Sequence, residues 1–174
     1  MSHRRPVIIA AIGTALAFIL VNCFPAAEQQ VFAQGAARIA GLFTGAPVVE
    51  SEAGWLLPLS HRTILVSEAC SGATFFLITC TLLCWHISRR TACHITSIVI
   101  GLSSAFALAI FINALRIICL VQAHRWLIPQ MPDNYAGFAH MLIGIAVFLP
   151  SLIALNALFE FYGNSKDHTA PRSA

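Results

Sequence analysis

The 174-residue chain is 58% hydrophobic and only 10% charged, with a net charge of +3. A soluble domain carries about a quarter of its residues charged, so the composition excludes one and points to a single membrane-embedded domain covering residues 1–174. The basic residues are scattered without aromatic interleaving, which excludes a nucleic-acid partner.

Four apolar stretches, at about residues 7–24, 69–87, 95–121 and 138–161, are long enough to cross a hydrocarbon core of ~30 Å as helices. The expected fold class is therefore an all-α integral membrane protein, a bundle of about four transmembrane helices. Arg4 and Arg5 precede the first stretch, Arg89 and Arg90 sit between the second and third, and Lys166 and Arg172 follow the fourth. By the positive-inside rule these segments are cytoplasmic, which gives a multi-pass protein of the inner membrane with both termini inside. The first stretch reads as an uncleaved anchor because its apolar run is full-length. A signal peptide cleaved after Ala26-Ala27 is the alternative.

Residues 25–67 form the one sizeable external loop. From Glu28 to Phe43, Phe32, Ala36, Ile39 and Phe43 share a face opposite Glu28, Gln34 and Arg38, the pattern of an interfacial helix. Val48-Val49, Trp55-Leu56-Leu57 and Thr63-Ile64-Leu65-Val66, separated by glycine and proline, read either as a small β-cap or as an irregular loop with Trp55 anchored at the interface. The second span opens near Ala69, which puts Cys70 in its first turn. The third carries Asn113 and Arg116 on one face, with Arg116 about five residues below its outer end. The fourth puts His140 in its first turn, Gly144 one turn deeper where it permits close helix approach, and Pro150 at a kink. Residues 165–174 read as a short disordered tail.

Of the six cysteines, Cys23, Cys80, Cys84 and Cys119 fall in or beside apolar helix patterns, where a free thiol behaves as a small hydrophobe, and no disulfide framework is implied. Cys70 stands apart in polar company. Cysteine attacks as its thiolate, and a helix start, a guanidinium and an imidazole are the neighbours that favour one. Ionisable groups in membrane spans are costly, so Arg116 and His140 at the same outer face as Cys70 are functional candidates. Arg116 either stabilises an oxyanion, holds a carboxylate, or pairs structurally with Glu68. His140 is one of three outward histidines with His61 and His124. Its place at the start of a packed span favours it for acid–base work. Cys84, His86, Cys93 and His94 gather near the cytoplasmic face but match no standard zinc spacing, so neither metal nor cofactor is expected. A haem or quinone protein using His86 with His94, or His124 with His140, is the reading from another class.

Ser67-Glu68-Ala69-Cys70-Ser71-Gly72, then Asn113-Ala114-Leu115-Arg116-Ile117, then His140 with Gly144 and Phe148, resembles the exosortase/archaeosortase family in order and membrane placement over about residues 48–148. The Glu-Ala-Cys-Ser-Gly motif is fairly specific, and the arginine and histidine motifs only in combination with it. The resemblance implies a membrane cysteine transpeptidase, or a protease that only hydrolyses. Its substrates would be membrane-anchored proteins with a C-terminal sorting signal, a short motif followed by a transmembrane helix and a basic tail. Cys70 would be the nucleophile, Arg116 the stabiliser of oxyanion or thiolate and His140 the acid–base group, with Glu68, Ser71, Gly72 and Asn113 in support. The thioester acyl-enzyme would pass to a lipid or glycan acceptor or to water at the outer face. The chain is similar to compact members such as the exosortase K type. The position two beyond Gly72, often arginine in larger members, is Thr74.

Overall fold

A computed structural model of the chain describes residues 4–23, 28–59, 63–66, 72–91, 93–127 and 136–167. Among these residues five α-helices, a π-helical turn and a small sheet follow one another. They are α1 (Arg4–Cys23), the turn Glu28–Ala33, α2 (Gln34–Thr44), β1 (Val49–Ser51), β2 (Gly54–Pro58), β3 (Thr63–Val66), α3 (Ala73–Ser88), α4 (His94–Trp126) and α5 (Ala136–Asp167). The protein is an all-α membrane protein with a three-stranded cap. Among the described residues α1, α4 and α5 are long and apolar enough to cross a bilayer, while α3 is equally apolar but has 16 residues, ~24 Å at the helical rise.

The bundle is built around α4. Its buried positions Ser97, Gly101, Ala105, Ala109, Asn113, Ile117 and Val121 recur every four residues. Four residues advance a helix by about 40° beyond a full turn, so this stripe winds round α4 and faces different neighbours at its two ends. Its small-residue half meets α1 and α3. A Cβ on Gly101 would lie 2.6 Å from Cys84 Sγ, and one on Gly13 would lie 2.5 Å from the same sulfur. Cys84 thus fills the seam where three helices meet, with Cys80 Sγ 3.9 Å away and Thr14 Oγ1 2.7 Å from Thr81 Oγ1. Lipid supplies no hydrophobic drive between helices, so close backbone approach across such a seam is what holds them. Cys80 and Cys84 are the small buried hydrophobes expected of them, whereas Cys23 at the end of α1 is exposed.

The large-residue end of the stripe, Ile117 and Val121, packs with the adjacent Leu120 under α2 and the sheet. The strands run antiparallel in the order β1-β2-β3, with Trp55 opposite Val66 and Leu57 opposite Ile64. Those four side chains are buried on one face, so the β-cap forms and Trp55 belongs to its core rather than to a free interface loop.

α2 lies where a helix was expected, and the side it packs against the rest of the protein is the small-residue one. Ala36, Ala37, Ala40, Gly41 and Thr44 are covered, and Phe43 is 73% exposed. Small side chains win because they let α2 run alongside α4, from Gly35 beside Ile110 to the Thr44 carbonyl, which accepts a 3.0 Å hydrogen bond from Arg125 Nη2. This bond also carries α4 on to Trp126, past the end at residue 121 that hydropathy suggested. At the other terminus α5 continues helically to Asp167, into the stretch expected to be tail.

The span expected from residue 69 opens at Ala73. Gly72 has φ 82° and ψ 8°, a left-handed conformation that a right-handed helix does not continue through. The expectation that Cys70 occupies the first turn of this helix falls on a residue outside the described ones.

Candidate active site

Three helices converge below the sheet. α4 carries Asn113 and Arg116 three residues apart, α5 carries His140, Gly144 and Phe148 at four-residue steps, and Gly72 caps the start of α3. Arg116 and His140, both half-buried, meet directly, with Arg116 Nη2 2.9 Å from His140 Nε2. A guanidinium has only donors, so Nε2 accepts, and in this contact the imidazole is neutral with its proton on Nδ1.

Two further groups fix the guanidinium. Its carbon stands 5.2 Å from the centroid of the Phe148 ring, a cation–π distance, and Phe148 in turn stacks on Phe75 of α3 at 4.9 Å. A Cβ on Gly144 would lie 3.3 Å from Arg116 Nε. The glycine expected to let helices touch thus makes room for a charged side chain instead. Beside this group Asn113 is fully buried, and Gly72 packs so closely that a Cβ there would lie 3.2 Å from the Asn113 side chain. A side chain at 72 would meet both this contact and an unfavourable φ.

Of the residues singled out from sequence, Arg116, His140, Asn113 and Gly72 fall among the described residues and cluster. Cys70, Glu68, Ser71 and His61 lie outside them. His124 is close enough to His140 to act on it electrostatically. The part played by Phe148 was not anticipated. Its signal was the four-residue step from His140 through Gly144, which puts all three on one stripe.

The second cluster disperses. Cys84 is enclosed in the helix seam, His86 Nε2 is 3.0 Å from Asn156 Oδ1 with its ring stacked on Phe159, and hydrogen bonds from Thr96 hold the exposed Cys93 thiol below its ordinary range. Among the described residues no three His, Cys, Asp or Glu side chains are grouped to hold a metal ion. The ring nitrogens that haem ligation would use on His86 and His140 are engaged by Asn156 and Arg116.

The arrangement offers a braced cation and an imidazole in its base form, with Cys70 two residues before Gly72 in the sequence. A family model described as transmembrane exosortase matches residues 2–157. No curated protein and no solved structure matches the chain.

Proposed function

The chain belongs to the transmembrane exosortase family, and from that premise we propose that it is a cysteine transpeptidase acting on C-terminal sorting signals at the outer membrane face. The observation that carries this reading is the Arg116–His140 contact at 2.9 Å, braced by Phe148 and set beside Gly72 through Asn113. Covalent geometry keeps the Cα of Cys70 within ~7 Å of that of Gly72, which allows the thiol to reach the pair.

The substrate carbonyl oxygen draws an Arg116 N–H away from His140, and the freed Nε2 takes the thiol proton. The Cys70 thiolate attacks the carbonyl carbon of the peptide bond just outside the substrate's anchor, and Arg116 stabilises the resulting oxyanion. As the tetrahedral adduct collapses, the C–N bond breaks and the imidazolium protonates the departing amine. A thioester remains on Cys70 and the substrate's helix stays in the bilayer. An acceptor nucleophile then attacks the thioester, His140 removes its proton, and the thiol is regenerated. Glu68 serves to orient Arg116. The positive-inside pattern supports cytoplasmic termini and an outward-facing site in the cell membrane.

The test co-expresses a membrane-anchored protein bearing a C-terminal motif, helix and basic tail with the wild type and with Cys70→Ala, Arg116→Ala and His140→Ala. Processing is lost in all three at near-normal abundance, while Cys80→Ala processes normally. Mass spectrometry of the product finds an added acceptor at the new C-terminus. A free carboxylate would identify hydrolysis, and processing by Cys70→Ala would overturn the proposal.

A further inference from the structure

The face of α3 that turns away from α4 is flanked by α1 and α5 and forms an open trough of about 800 Å³ whose lining includes Ile78, Thr81, Trp85, Leu152, Asn156 and Glu160. Two features distinguish it from bare lipid-facing surface. Its upper lining residues, Ile78 and Leu152, lie one helical turn below Phe75 and Phe148, which stack on each other, and Phe148 carries the guanidinium of Arg116. Its lower end holds Glu160, an exposed carboxylate that accepts from Asn156 Nδ2 at 2.9 Å and, among the described residues, pairs with no lysine or arginine. A carboxylate near the end of an apolar helix is a candidate for function.

The spacing of these two ends is informative. From His140 to Glu160 is twenty residues of one helix, or ~30 Å, the thickness of the hydrocarbon core. An apolar helix whose outer end lies at the Arg116–His140 pair therefore has its inner end level with Glu160, where a carboxylate meets the first basic residues beyond it. A neighbouring groove of about 690 Å³ between α1 and α3, lined by Val7, Ala11, Thr14, Ala15 and Phe18 among others, has no acidic residue and does not adjoin the pair.

We propose that the trough between α3 and α5 is the docking track for the substrate's transmembrane helix, and that Glu160 reads its basic tail. This rests on the reading of the site as a sorting-signal transpeptidase, and it assigns to this chain the surface that sets how deep the substrate sits. The match of helix length to the interval between pair and carboxylate places the scissile bond at the reacting groups.

The experiment uses the full-length Cys70→Ala protein in phosphatidylcholine vesicles, so that nothing is cleaved. The probe is a synthetic peptide with a Leu/Ala span of about twenty residues ending in arginines. A benzophenone crosslinker is placed at Ile153 in the trough or at Ala15 in the neighbouring groove. Crosslinking at 153 exceeds that at 15 severalfold. It falls about fivefold when glutamines replace the arginines, and Glu160→Gln abolishes that difference. Ala157→Trp, on the exposed face of α5, blocks crosslinking at 153, whereas Val7→Trp leaves it unchanged. Equal yields at the two positions, indifference to the tail, or lipid adducts alone at 153 would overturn the docking track. Because the readout involves no sulfur chemistry, docking without processing in the wild type counts against the transpeptidase reading alone, and processing with crosslinks confined to 15 counts against the track alone.

Discussion

α1 and α5 are both apolar spans, yet they join the bundle by different means. α1 is packed along a seam of small residues, with Gly13 and Ala17 against α3 and the Cys84 sulfur lodged between Gly13 and Gly101. α5 is mostly exposed along its length and is clasped by polar contacts near its two ends. His140 bonds Arg116 at one end, and at the other Asn156 meets His86 while Arg90 Nη2 donates to the Phe159 carbonyl. A seam of close backbone contacts gives rigidity, because every volume change is felt there. Two clasps and an aromatic stack give a helix that is positioned but leaves a trough beside it. In the function proposed above, the chemistry sits at one clasp, where Arg116 exchanges its imidazole for a substrate carbonyl.

That contrast can be broken at either side. Arg116→Ala removes the cation from the upper clasp, and processing measured by substrate mobility should fall by about 10²–10³, or about 3–4 kcal/mol of transition-state stabilisation, with folded yield kept. Gly101→Leu drives a side chain into Cys84 and should cost about 1–3 kcal/mol of stability, read as reduced monodisperse yield and an earlier thermal transition in detergent. Phe148→Leu deletes both the ring under Arg116 and the stack on Phe75, and should cost about 1 kcal/mol, seen as a severalfold drop in processing at normal yield. Asn156→Ala removes the His86 contact of the lower clasp together with the bond that holds Glu160, and should cost about 0.6 kcal/mol, a small thermal shift with a modest loss of processing. If Gly101→Leu proved milder than Asn156→Ala, the roles assigned to seam and clasp would be reversed.

Much of the fold was legible because membrane spans are written in composition. Runs of apolar residues bounded by Arg5, Arg89 and Arg90 identify helices irrespective of what they pack against. The cap was half legible, since short apolar runs between glycine and proline allowed either a small sheet or an irregular loop, and the burial of Trp55 and Leu57 on one face decided for the sheet. Legibility failed where a boundary depends on one backbone angle, as at Gly72, and where a face is chosen by fit. Hydropathy gave α2 an apolar face that includes Phe43, but which side packs on α4 was decided by the small side chains of Ala36, Ala40 and Gly41. The site was legible as three motifs, and the preference for His140 over its rivals followed from its place in a packed span. Phe148 counted only as part of the histidine motif, with no role of its own, because an aromatic on an apolar helix carries no mark of function until a cation is found above it.

By itself the sequence determined the solvent in which this protein folds, the number and order of its apolar helices and the family it belongs to, since transfer free energy and residue order are local properties. Tertiary structure alone decided that Arg116 reaches His140 across 24 residues of chain, that Gly144 makes space for a guanidinium, and that Glu160 ends a trough one membrane thickness below the pair. Those facts arise from how helix faces rotate into one another. A four-residue stripe such as that of α4 turns progressively about its axis, so what each of its residues meets is fixed only once the neighbouring helices are in place.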